Sequence, residues 1–414
     1  MKIAIIGTGI SGLTAAYLLN RKHDIVVFEK NDYIGGHTHT HTIKTNQSKL
    51  SVDSGFIVYN EVTYPNFIKL LDQLGVKRQK TTMGFSVKSE KKNLEYAGNT
   101  LKSIFAQRLN YFRPSFWIML RDILRFNKKG KADLANLSAN IKLGAYLKEN
   151  NYSQSFINHY IIPMGSAIWS TKAGRMLDMP ALFFIRFFNN HGLMQVKNRS
   201  GWWVIQGGSQ EYVKKMIESF NSKIKLNTTV SSIDRTEKEI IIKTRDNKEE
   251  IYDAVVIATH SDQALQILSK PTQEEKEILG TLHYQPNDAF LHTDTSVLPK
   301  RKLAWASWNY NLDQHKDKPM AMTYNMNMLQ SLESEDTYCV TLNNHDLVNK
   351  QKVLKNLHYE HPQFTPEGIH AQKRKHEISG VNNTYYCGAY WRNGFHEDGV
   401  VSALEVCSHF GVTL

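Results

Sequence analysis

The sequence has few cysteines and no long apolar run, and each absence excludes a class of protein. Its three cysteines, Cys339, Cys387 and Cys407, form no CxxC pair and no zinc-binding pattern. No uninterrupted apolar stretch approaches the roughly 18 residues that a helix needs to cross a bilayer. The N-terminus mimics a signal peptide, but glycines, threonines and a serine interrupt its apolar stretch. We therefore expect reduced thiols and a cytoplasmic protein, associated at most peripherally with the inner face of the cell membrane.

The composition is that of a large globular protein with a basic surface. Of its 414 residues, 41% are hydrophobic and 22% charged, so the chain can bury a large core in two or three domains. The formal net charge of +12 favours an anionic partner, although a solvated basic surface is the simpler explanation of charge alone. We find no recognised nucleic-acid-binding module, so we do not expect nucleic acid as a partner.

The N-terminus carries a dinucleotide-binding fingerprint. An apolar strand ends at Gly7, a helix follows Gly9 and Gly12, and a second apolar strand ends at Glu29. In this pattern the first glycine permits a tight turn, the second lets the backbone approach a pyrophosphate at the helix N-terminus, and the third allows helix and strand to pack closely. The acid accepts hydrogen bonds from a ribose diol. The cofactor-binding residues predicted from this unit are Gly7, Gly9, Ser11, Gly12, Glu29 and Lys30.

A second pair of glycines after the acid indicates a long dinucleotide. An NAD domain has no need of glycines there, whereas the extended FAD molecule has further parts that a close-lying backbone can contact. A glycine-led segment, 55–58, follows and leads into an amphipathic helix from Tyr64 to Leu74. We predict non-covalent FAD, because no Cys or His matches a known flavin-linking position, and we expect it to contact Gly35, Gly36, His37, Thr38, Gly55, Phe56 and Ile57.

This order of motifs resembles the flavin amine oxidase and phytoene desaturase superfamily over essentially the whole chain. The resemblance implies an α/β fold, with a Rossmann-like FAD-binding domain of the amine oxidase type and an inserted α+β substrate domain. Val230 matches a strand whose backbone contacts adenine, residues 255–259 match a VVxAT strand, and Gly388 with residues 396–400 matches the closing flavin motif. In that motif an acid faces the ribityl–pyrophosphate region and a helix N-terminus faces the flavin. The resemblance adds as cofactor contacts Val230, Thr259, Gly388, Glu397, Asp398, Gly399 and Val400.

A narrower resemblance is to a bacterial subfamily of FAD-dependent oxidoreductases associated with cyclopropane-fatty-acid synthase-type methyltransferases. It is carried by the segments 35–38, 53–60, 165–170, 258–264, 284–287, 307–310 and 388–399. Some relatives are implicated in desaturating methylated acyl chains toward furan fatty acids. The resemblance implies a phospholipid or fatty acyl substrate and a fatty-acid methyltransferase as a partner.

The resemblance and the periodicity together suggest two domains. We place the FAD-binding domain in residues 1–80, 201–283 and 384–414, and the substrate-binding domain in residues 81–200 and 284–383. Residues 85–200 are expected to be largely helical, and residues 285–375 to form a mostly antiparallel sheet.

Within the helical part, residues 101–129 alternate bulky apolar and aromatic residues with arginine and lysine. Such a surface can lie on an anionic membrane, whereas two ordinary helices would bury their aromatic residues in the core. The sequence leaves both interpretations open.

One departure from the superfamily affects the chemistry. Its amine oxidases use a lysine that holds water near flavin N5 and close the site with paired tyrosines. We cannot place that lysine, and Phe395 or His396 falls where one of the aromatic residues is expected. His396 is the candidate acid or base, because it lies beside the flavin motif. The candidate substrate contacts are aromatic residues from segments that meet at the flavin in the family: Tyr59, Trp169, Trp308, Tyr324 and Trp391.

Three alternating histidines, His37, His39 and His41, share one face of a predicted strand, as metal ligands can. No nearby carboxylate or cysteine completes a ligand set. We therefore expect no metal site, with His37 close to the cofactor and the other two on a strand surface.

Three functions are consistent with these observations. The leading hypothesis is an FAD-dependent oxidoreductase that dehydrogenates or desaturates a methylated or unsaturated fatty acyl group by hydride transfer to flavin. The second is a flavin-dependent amine oxidase. The third is a non-catalytic flavoprotein that binds lipid for a fatty-acid methyltransferase.

Overall fold

Two large β-sheets organise the chain. The computed structural model describes residues 1–45, 49–195, 201–236, 239–313, 321–343 and 346–414. The strands within these residues are β1 Lys2–Ile6, β2 Asp24–Phe28, β3 Thr40–Lys44, β4 Lys49–Asp53, β5 Val58–Asn60, β6 Arg78–Thr81, β7 Phe85–Ser89, β8 Leu94–Ala97, β9 Trp202–Ile205, β10 Ile224–Lys225, β11 Val230–Arg235, β12 Ile240–Thr244, β13 Glu249–Tyr252, β14 Ala254–Ile257, β15 Tyr284–His292, β16 Trp308–Asn311, β17 Ala321–Asn325, β18 Cys339–Leu342, β19 Val353–Pro362 and β20 Thr384–Tyr386.

The helices lie mostly between residues 100 and 191 and around the first sheet. They are α1 Ile10–Leu19, α2 Pro65–Gln73, α3 Leu101–Ile104, α4 Pro114–Asp133, α5 Leu143–Glu149, α6 Gln154–Phe156, α7 Ile162–Trp169, α8 Ala173–Met176, α9 Ala181–Asn190, α10 Gln210–Ile217, α11 Ser261–Ile267, α12 Gln273–Gly280, α13 Met326–Gln330, α14 Pro366–Lys373 and α15 His396–His409, with a 3₁₀ turn at Arg108–Phe112 and a π-helical turn at Ile157–Ile161. Among the described residues, none of these helices combines the length and apolarity needed to cross a bilayer.

The first sheet is parallel, in the order β10-β2-β1-β14-β20. Its central strands are apolar throughout because both of their faces are covered. Ile3 and Ile5 pack toward α1, α10 and α15, whereas Ala4 and Ile6 pack toward the small sheet β11–β13 and helices α11 and α12. The carboxyl ends of β1, β2 and β14 therefore meet at one edge, where ligands bind in open α/β sheets.

The second sheet has the order β19-β15-β18-β17-β16-β7-β8. Its neighbouring strands are antiparallel except for β16 and β7, which run parallel. The mostly antiparallel sheet that the alternating pattern of residues 285–375 predicts is therefore present, with β7 and β8 added from earlier in the chain. Two smaller elements, the β3–β4 hairpin and the β5-β9-β6 sheet, lie between the large sheets in sequence.

The helices from α4 to α9 pack around a core of aromatic side chains. Phe126 contacts Tyr152, Phe156, Phe184 and Phe188, all with ring centroids within 6.5 Å. The phenylalanine-rich segment 183–188 lies in α9. The strands of the first sheet come from residues 2–28, 224–257 and 384–386, and those of the second from residues 85–97 and 284–362. The boundaries that we assigned to the two domains stay a prediction.

Candidate cofactor and substrate site

One cavity of about 1330 Å³ lies where the two large sheets meet. Drug-sized ligands occupy pockets of about 300–1,000 Å³, so this cavity has room for more than one small molecule. Thirteen of the twenty predicted cofactor-binding residues line it, namely Gly7, Gly9, Ser11, Glu29, Lys30, Gly36, His37, Gly55, Phe56, Ile57, Val230, Thr259 and Gly388.

The turn between β1 and α1 forms an anion site in the cavity wall. Gly9 precedes α1 with φ −64° and ψ 173°, and a Cβ built there meets no atom within 4 Å. The space that a side chain would fill is therefore part of the cavity. The first turn of α1 contains no acidic residue, so its N–H groups and helix dipole are available to a pyrophosphate.

The Glu29 carboxylate is held in place at the end of β2. Its Oε2 accepts hydrogen bonds from the Thr8 N–H at 3.0 Å and from the Thr8 hydroxyl, and its Oε1 accepts from the Asn31 N–H at 2.9 Å. The side chain is buried but lines the cavity. Oε2 already accepts two hydrogen bonds, but Oε1 keeps a second lone pair, so Glu29 can still accept from a ribose diol.

Two glycines that we predicted as cofactor contacts, Gly12 and Gly35, lie behind the cavity wall. A Cβ at Gly12 would lie 2.0 Å from the Gly7 carbonyl oxygen, so Gly12 permits the close packing of α1 and β1. A Cβ at Gly35, where φ is +130°, would lie 2.4 Å from the Thr38 carbonyl oxygen. Neither residue lines the cavity, because each glycine serves backbone packing, and their contacts with FAD stay a prediction.

Two acids at the start of the closing helix α15 make hydrogen bonds within the protein. Glu397 accepts hydrogen bonds from the N–H groups of Asn66 and Phe67 at 3.1 and 2.8 Å, and so caps the N-terminus of α2. Asp398 accepts from the Phe395 N–H at 2.9 Å, and burial raises the pKa of its carboxyl to about 6. Neither side chain lines the cavity, and their contacts with FAD stay a prediction.

The next two residues of α15 pack rather than line the cavity. A Cβ at Gly399 would lie 2.7 Å from Ile10 Cγ2, so this glycine permits close contact between α15 and α1. Val400 is fully buried in the core beneath the first sheet. The contacts of Gly399 and Val400 with FAD stay a prediction.

His396 lines the cavity and lies at the centre of a buried network. Its ring stacks on Phe56 with a centroid distance of 3.5 Å, and its Nε2 lies 3.0 Å from Thr38 Oγ1 and 3.3 Å from the Tyr212 hydroxyl. Burial lowers its pKa to about 3, so the ring is neutral. Thr38 is buried behind the wall, and its contact with FAD stays a prediction. A catalytic role for His396 stays a prediction.

Beyond the nucleotide-binding part, the cavity continues as an apolar lobe. Of the predicted substrate contacts, Trp169, Trp308 and Tyr324 line this lobe. Tyr59 is fully buried among the helices of the first sheet, and Trp391 is buried on its opposite face. Strand alternation turns Tyr59 away while its neighbour Val58 lines the cavity. Substrate contacts by Tyr59 and Trp391 stay a prediction. The other apolar lining residues are Met83, Phe85, Tyr96, Tyr160, Met164, Ile168, Phe187, Leu193, Phe364 and Phe395.

A cluster of histidines lines the cavity beside the cofactor segment. The His37 ring lies 5.4 Å from the His361 ring and 6.3 Å from the His260 ring, and it stacks on Tyr359 at 5.1 Å. His260 Nδ1 lies 3.2 Å from the Glu360 carboxylate. Burial lowers the pKa of His37 well below its ordinary value and that of His361 to about 4, so both rings are neutral.

Sequence reasoning found His37 but missed the other members of this cluster. For His260 the sequence does contain a signal, namely its position after the apolar strand β14, at the ligand-binding edge of the sheet. The alternating pattern of residues 358–361 near the end of β19 gives no comparable indication.

The three alternating histidines have different surroundings, and of the three His41 alone lies within β3. His39 stacks on Tyr33 at 4.1 Å, and His41 Nε2 lies 2.8 Å from the Ser54 hydroxyl. His41 is buried, which corrects its predicted place on a strand surface, and burial lowers its pKa to about 4. Within the described ranges, no group of three His, Cys, Asp or Glu residues is placed to hold a metal ion.

The residues present fit FAD. The open space at Gly9, the ribose-facing carboxylate of Glu29 and the cavity wall of Gly55–Val58 suit an extended dinucleotide. The His37 ring donates to the Glu360 backbone carbonyl, and its Nε2 is buried without a hydrogen-bond partner. A bound donor group can satisfy that nitrogen. The fold and the site together define a flavin-binding protein of the oxidoreductase class.

Comparison with known proteins gives the family. The model of the flavin containing amine oxidoreductase family matches residues 10–409, so the chain belongs to this family. It is 23% identical to prenylcysteine oxidase 1 of Rattus norvegicus over 296 residues, which is 62% of this chain and 55% of that protein. It is also 23% identical to the flavin-containing amine oxidase B of Homo sapiens over 261 residues, 61% of this chain and 48% of that protein. The chain thus spans about half the length of these relatives.

Solved structures share the fold over almost the whole chain. A fatty acid isomerase from P. acnes superposes with a TM-score of 0.71 at 14% identity, covering 99% of this chain and 98% of that one. Putrescine oxidase superposes with a TM-score of 0.70 at 14% identity, covering 99% of both chains. The predicted amine oxidase-type α/β fold, FAD as cofactor and membership of an FAD-dependent oxidoreductase family are therefore confirmed. The association with cyclopropane synthases stays a prediction.

Proposed function

We propose that this protein dehydrogenates a fatty acyl chain, methylated or unsaturated, with FAD as the electron acceptor. The observation that carries the proposal is the apolar lobe, which continues the cofactor cavity and is walled by Trp169, Trp308, Tyr324 and aliphatic neighbours. Burying a methylene is worth about 0.8 kcal/mol, so an acyl chain can bind there without a charged anchor.

The small number and the position of the basic residues in the cavity support an apolar substrate. Apart from histidines, the described lining contains only Lys30 and Arg245, and both lie near the Glu29 and Val230 end. Along β15 and β16, which border the apolar lobe, the sequence contains no lysine. The lysine that amine oxidases place near the flavin therefore has no counterpart among the described lining residues.

The chemistry divides between the cofactor and the histidine cluster. FAD, when bound, supplies the acceptor for the hydride. Loss of a second hydrogen from the neighbouring carbon, as a proton, requires a base, and the cluster of His37, His260 and His361 offers imidazole groups for this role. The Asn287 amide donates to His361 Nδ1 at 2.9 Å, which leaves His361 Nε2 as a donor. We take His260 as the proton acceptor, because the Glu360 carboxylate lies 3.2 Å from its Nδ1 and can stabilise the cation.

Two comparisons support a lipid substrate. The names of a structurally similar protein and of a relative refer to a fatty acid isomerase and to prenylcysteine oxidase. The residue segments shared with the methyltransferase-associated subfamily support a methylated acyl group, with a fatty-acid methyltransferase as the partner that supplies it. A protein that only presents lipid to such a methyltransferase has the same cavity but does not reduce its flavin.

Amine oxidation is the second candidate, favoured by the similarity to amine oxidase B and to putrescine oxidase. In the apolar lobe and the histidine cluster, the one carboxylate among the described lining residues is Glu360, which lies 3.2 Å from His260 Nδ1. A polyamine with several cationic amines would therefore meet a single carboxylate there, which is why we place this function second.

Anaerobic reduction of the bound flavin distinguishes these functions. The purified protein is mixed in detergent micelles with phospholipids that carry methylated or unsaturated chains, and separately with primary amines and polyamines. Bleaching by lipid alone supports the proposal, bleaching by an amine alone supports the second candidate, and no bleaching by any lipid rejects acyl dehydrogenation.

A variant with a charged side chain in the apolar lobe tests whether the lobe holds the substrate. Ile168 lines the lobe, and Ile168→Glu is expected to slow reduction by lipid by at least about tenfold, because a carboxylate must be desolvated beside the acyl chain. Val381→Glu is the matched control, since Val381 is exposed and does not line the cavity. Equal rates in the two variants would show that the lobe does not hold the substrate.

A further inference from the structure

The helical segment from Leu101 to Lys131 presents apolar side chains to solvent. Among the described residues, fifteen large hydrophobic side chains are exposed, and seven of them lie between positions 101 and 124. Phe112 is 82% exposed and Leu101 77%. We call the following residues the outer face: Leu101, Lys102, Arg108, Leu109, Tyr111, Phe112, Trp117, Ile118, Arg121, Leu124 and Lys128.

The outer face is not the buried side of ordinary amphipathic helices. Helix α4 buries Phe116, Met119 and Phe126 on its inner side, which satisfies its contact with the core. Trp117 and Leu124 lie on the opposite side with Arg121 between them, at the spacing of one helix face. A helix that is apolar on both sides has a second partner besides its own core.

The aromatic part of the outer face is ordered. The Trp117 indole N–H donates to the Tyr111 carbonyl at 2.9 Å, and the Tyr111 ring stacks on Phe105 at 4.0 Å. These contacts fix the 3₁₀ turn that carries Phe112 and hold the aromatic side chains outward. Aromatic residues with a polar end are typical of the interface between lipid and water.

The charge of the segment has one sign. Its single acid, Asp122, is buried and lies 3.3 Å from the Arg125 guanidinium. Eight basic residues occur between Leu101 and Lys131, namely Lys102, Arg108, Arg113, Arg121, Arg125, Lys128, Lys129 and Lys131. Arg121 also lies 3.6 Å from Asp122, and Lys129 lies 3.2 Å from Asp133, so the positive charge is paired in part. A surface that combines exposed aromatic groups with a net positive charge is complementary to an anionic bilayer.

The outer face is continuous with the apolar lobe of the cavity. Tyr96, Gly98 and Asn99 line the cavity, and Leu101 of the outer face follows two residues after Asn99. The Tyr96 ring also packs on Phe116 at 5.5 Å, so one layer of side chains separates the lobe from α4.

We propose that the outer face docks on an anionic phospholipid membrane and places the apolar lobe beside the bilayer. Docking depends on apolar contact and on charge, and it does not depend on whether the acyl chain is oxidised. The proposal therefore extends the proposed function but can be tested without turnover.

The structure also selects the residues to change. Arg125 lies over the Tyr152 ring at 4.2 Å and donates to the Asn151 carbonyl, so replacing it would disturb packing. Arg113 precedes α4 and donates to the Asn110 side chain. A charge-removal variant is better built from exposed positions: Lys102→Gln, Arg108→Gln, Arg121→Gln and Lys128→Gln.

Co-sedimentation with vesicles tests the proposal. The full-length protein is mixed with phosphatidylcholine vesicles, with and without phosphatidylglycerol, at low and at high salt. We expect binding to the anionic vesicles at low salt, weakened roughly 100-fold in the four-charge variant. The double variant Leu101→Ser and Phe112→Ser should also weaken binding, because it removes apolar contact while keeping the charge.

The controls match each change elsewhere on the surface. Lys270→Gln with Lys276→Gln removes charge from exposed positions around α12, and Ile251→Ser removes an exposed apolar side chain from β13. Both controls should bind as the unchanged protein does, and all variants should retain FAD. Equal binding by the four-charge variant and its control, or a dimer in sedimentation velocity that Phe112→Ser dissociates, would overturn the proposal. Failure to bind vesicles together with rapid bleaching by lipid micelles would reject docking and leave the proposed function standing.

Discussion

The substitution Gly9→Val should abolish FAD binding and leave the fold intact. The backbone at Gly9, with φ −64° and ψ 173°, suits any L residue. A Cβ there meets no atom within 4 Å, so the isopropyl group enters only the space where the pyrophosphate binds. Replacing a glycine at a compatible position also reduces the entropy of the unfolded chain, which stabilises a protein by about 0.4–1 kcal/mol.

The expected change in stability follows from the linkage between FAD binding and folding. A ligand at 1,000 times its Kd stabilises the folded state by about 4 kcal/mol, and a variant that cannot bind forfeits all of it. We therefore expect the apo variant to unfold at or slightly above the temperature of the apo protein. Adding FAD should raise the unfolding temperature of the unchanged protein alone.

Two other glycines make the comparison specific. Gly12→Ala should prevent folding, because its Cβ would lie 2.0 Å from the Gly7 carbonyl oxygen. Gly280→Ala is the control, since its Cβ makes an ordinary contact of 3.6 Å with Leu265 Cδ2. The assay is flavin absorbance per protein after purification, together with thermal unfolding of apo and reconstituted protein. Stoichiometric FAD in Gly9→Val would refute the assignment of this turn to the pyrophosphate.

Three further outcomes are expected. Trichloroacetic acid should release all flavin into the supernatant, and flavin that stays with the precipitate would contradict non-covalent binding. Glu397→Ala should lower the free energy of unfolding by about 1–3 kcal/mol, because it uncaps α2, while FAD-binding affinity measured by fluorescence titration stays unchanged. The free energy of unfolding should fall as the pH drops from about 6.5 toward 4. Burial lowers the pKa of His361 to about 4 and that of His396 to about 3. Over this pH range the unfolded chain therefore binds protons that the folded chain does not. Burial raises the pKa of Asp53 and of Asp398 to about 6, so these two acids act in the opposite direction over the same pH range. The informative comparison is therefore between His361→Gln and the unchanged protein, and His361→Gln should lose less stability as the pH falls.

The sequence by itself determined the nucleotide-binding unit, because strand, glycine turn, helix and acid are contiguous and their geometry is local. Gly9 facing open space and Glu29 at the end of β2 follow from a short stretch of chain. The apolar runs of β1 and β14 likewise predict a parallel sheet covered on both faces. Even here the neighbouring glycines differ in their roles, since Gly12 and Gly35 serve packing that only coordinates reveal.

Only the tertiary structure decided which side chains face the cavity. Tyr59 and Val58 are adjacent, and strand alternation turns one into the core and the other to the cavity. Glu397 belongs to the closing motif in sequence, but its side chain caps α2, because α15 places it at the N-terminus of that helix.

The histidine cluster shows the same limit more strongly. His37, His260 and His361 come from three distant segments and meet because the two large sheets converge at one edge. No local pattern encodes that meeting, since it depends on how two separately formed layers pack. The sequence therefore determined the cofactor, and the packing of the two sheets decided the residues that surround the substrate.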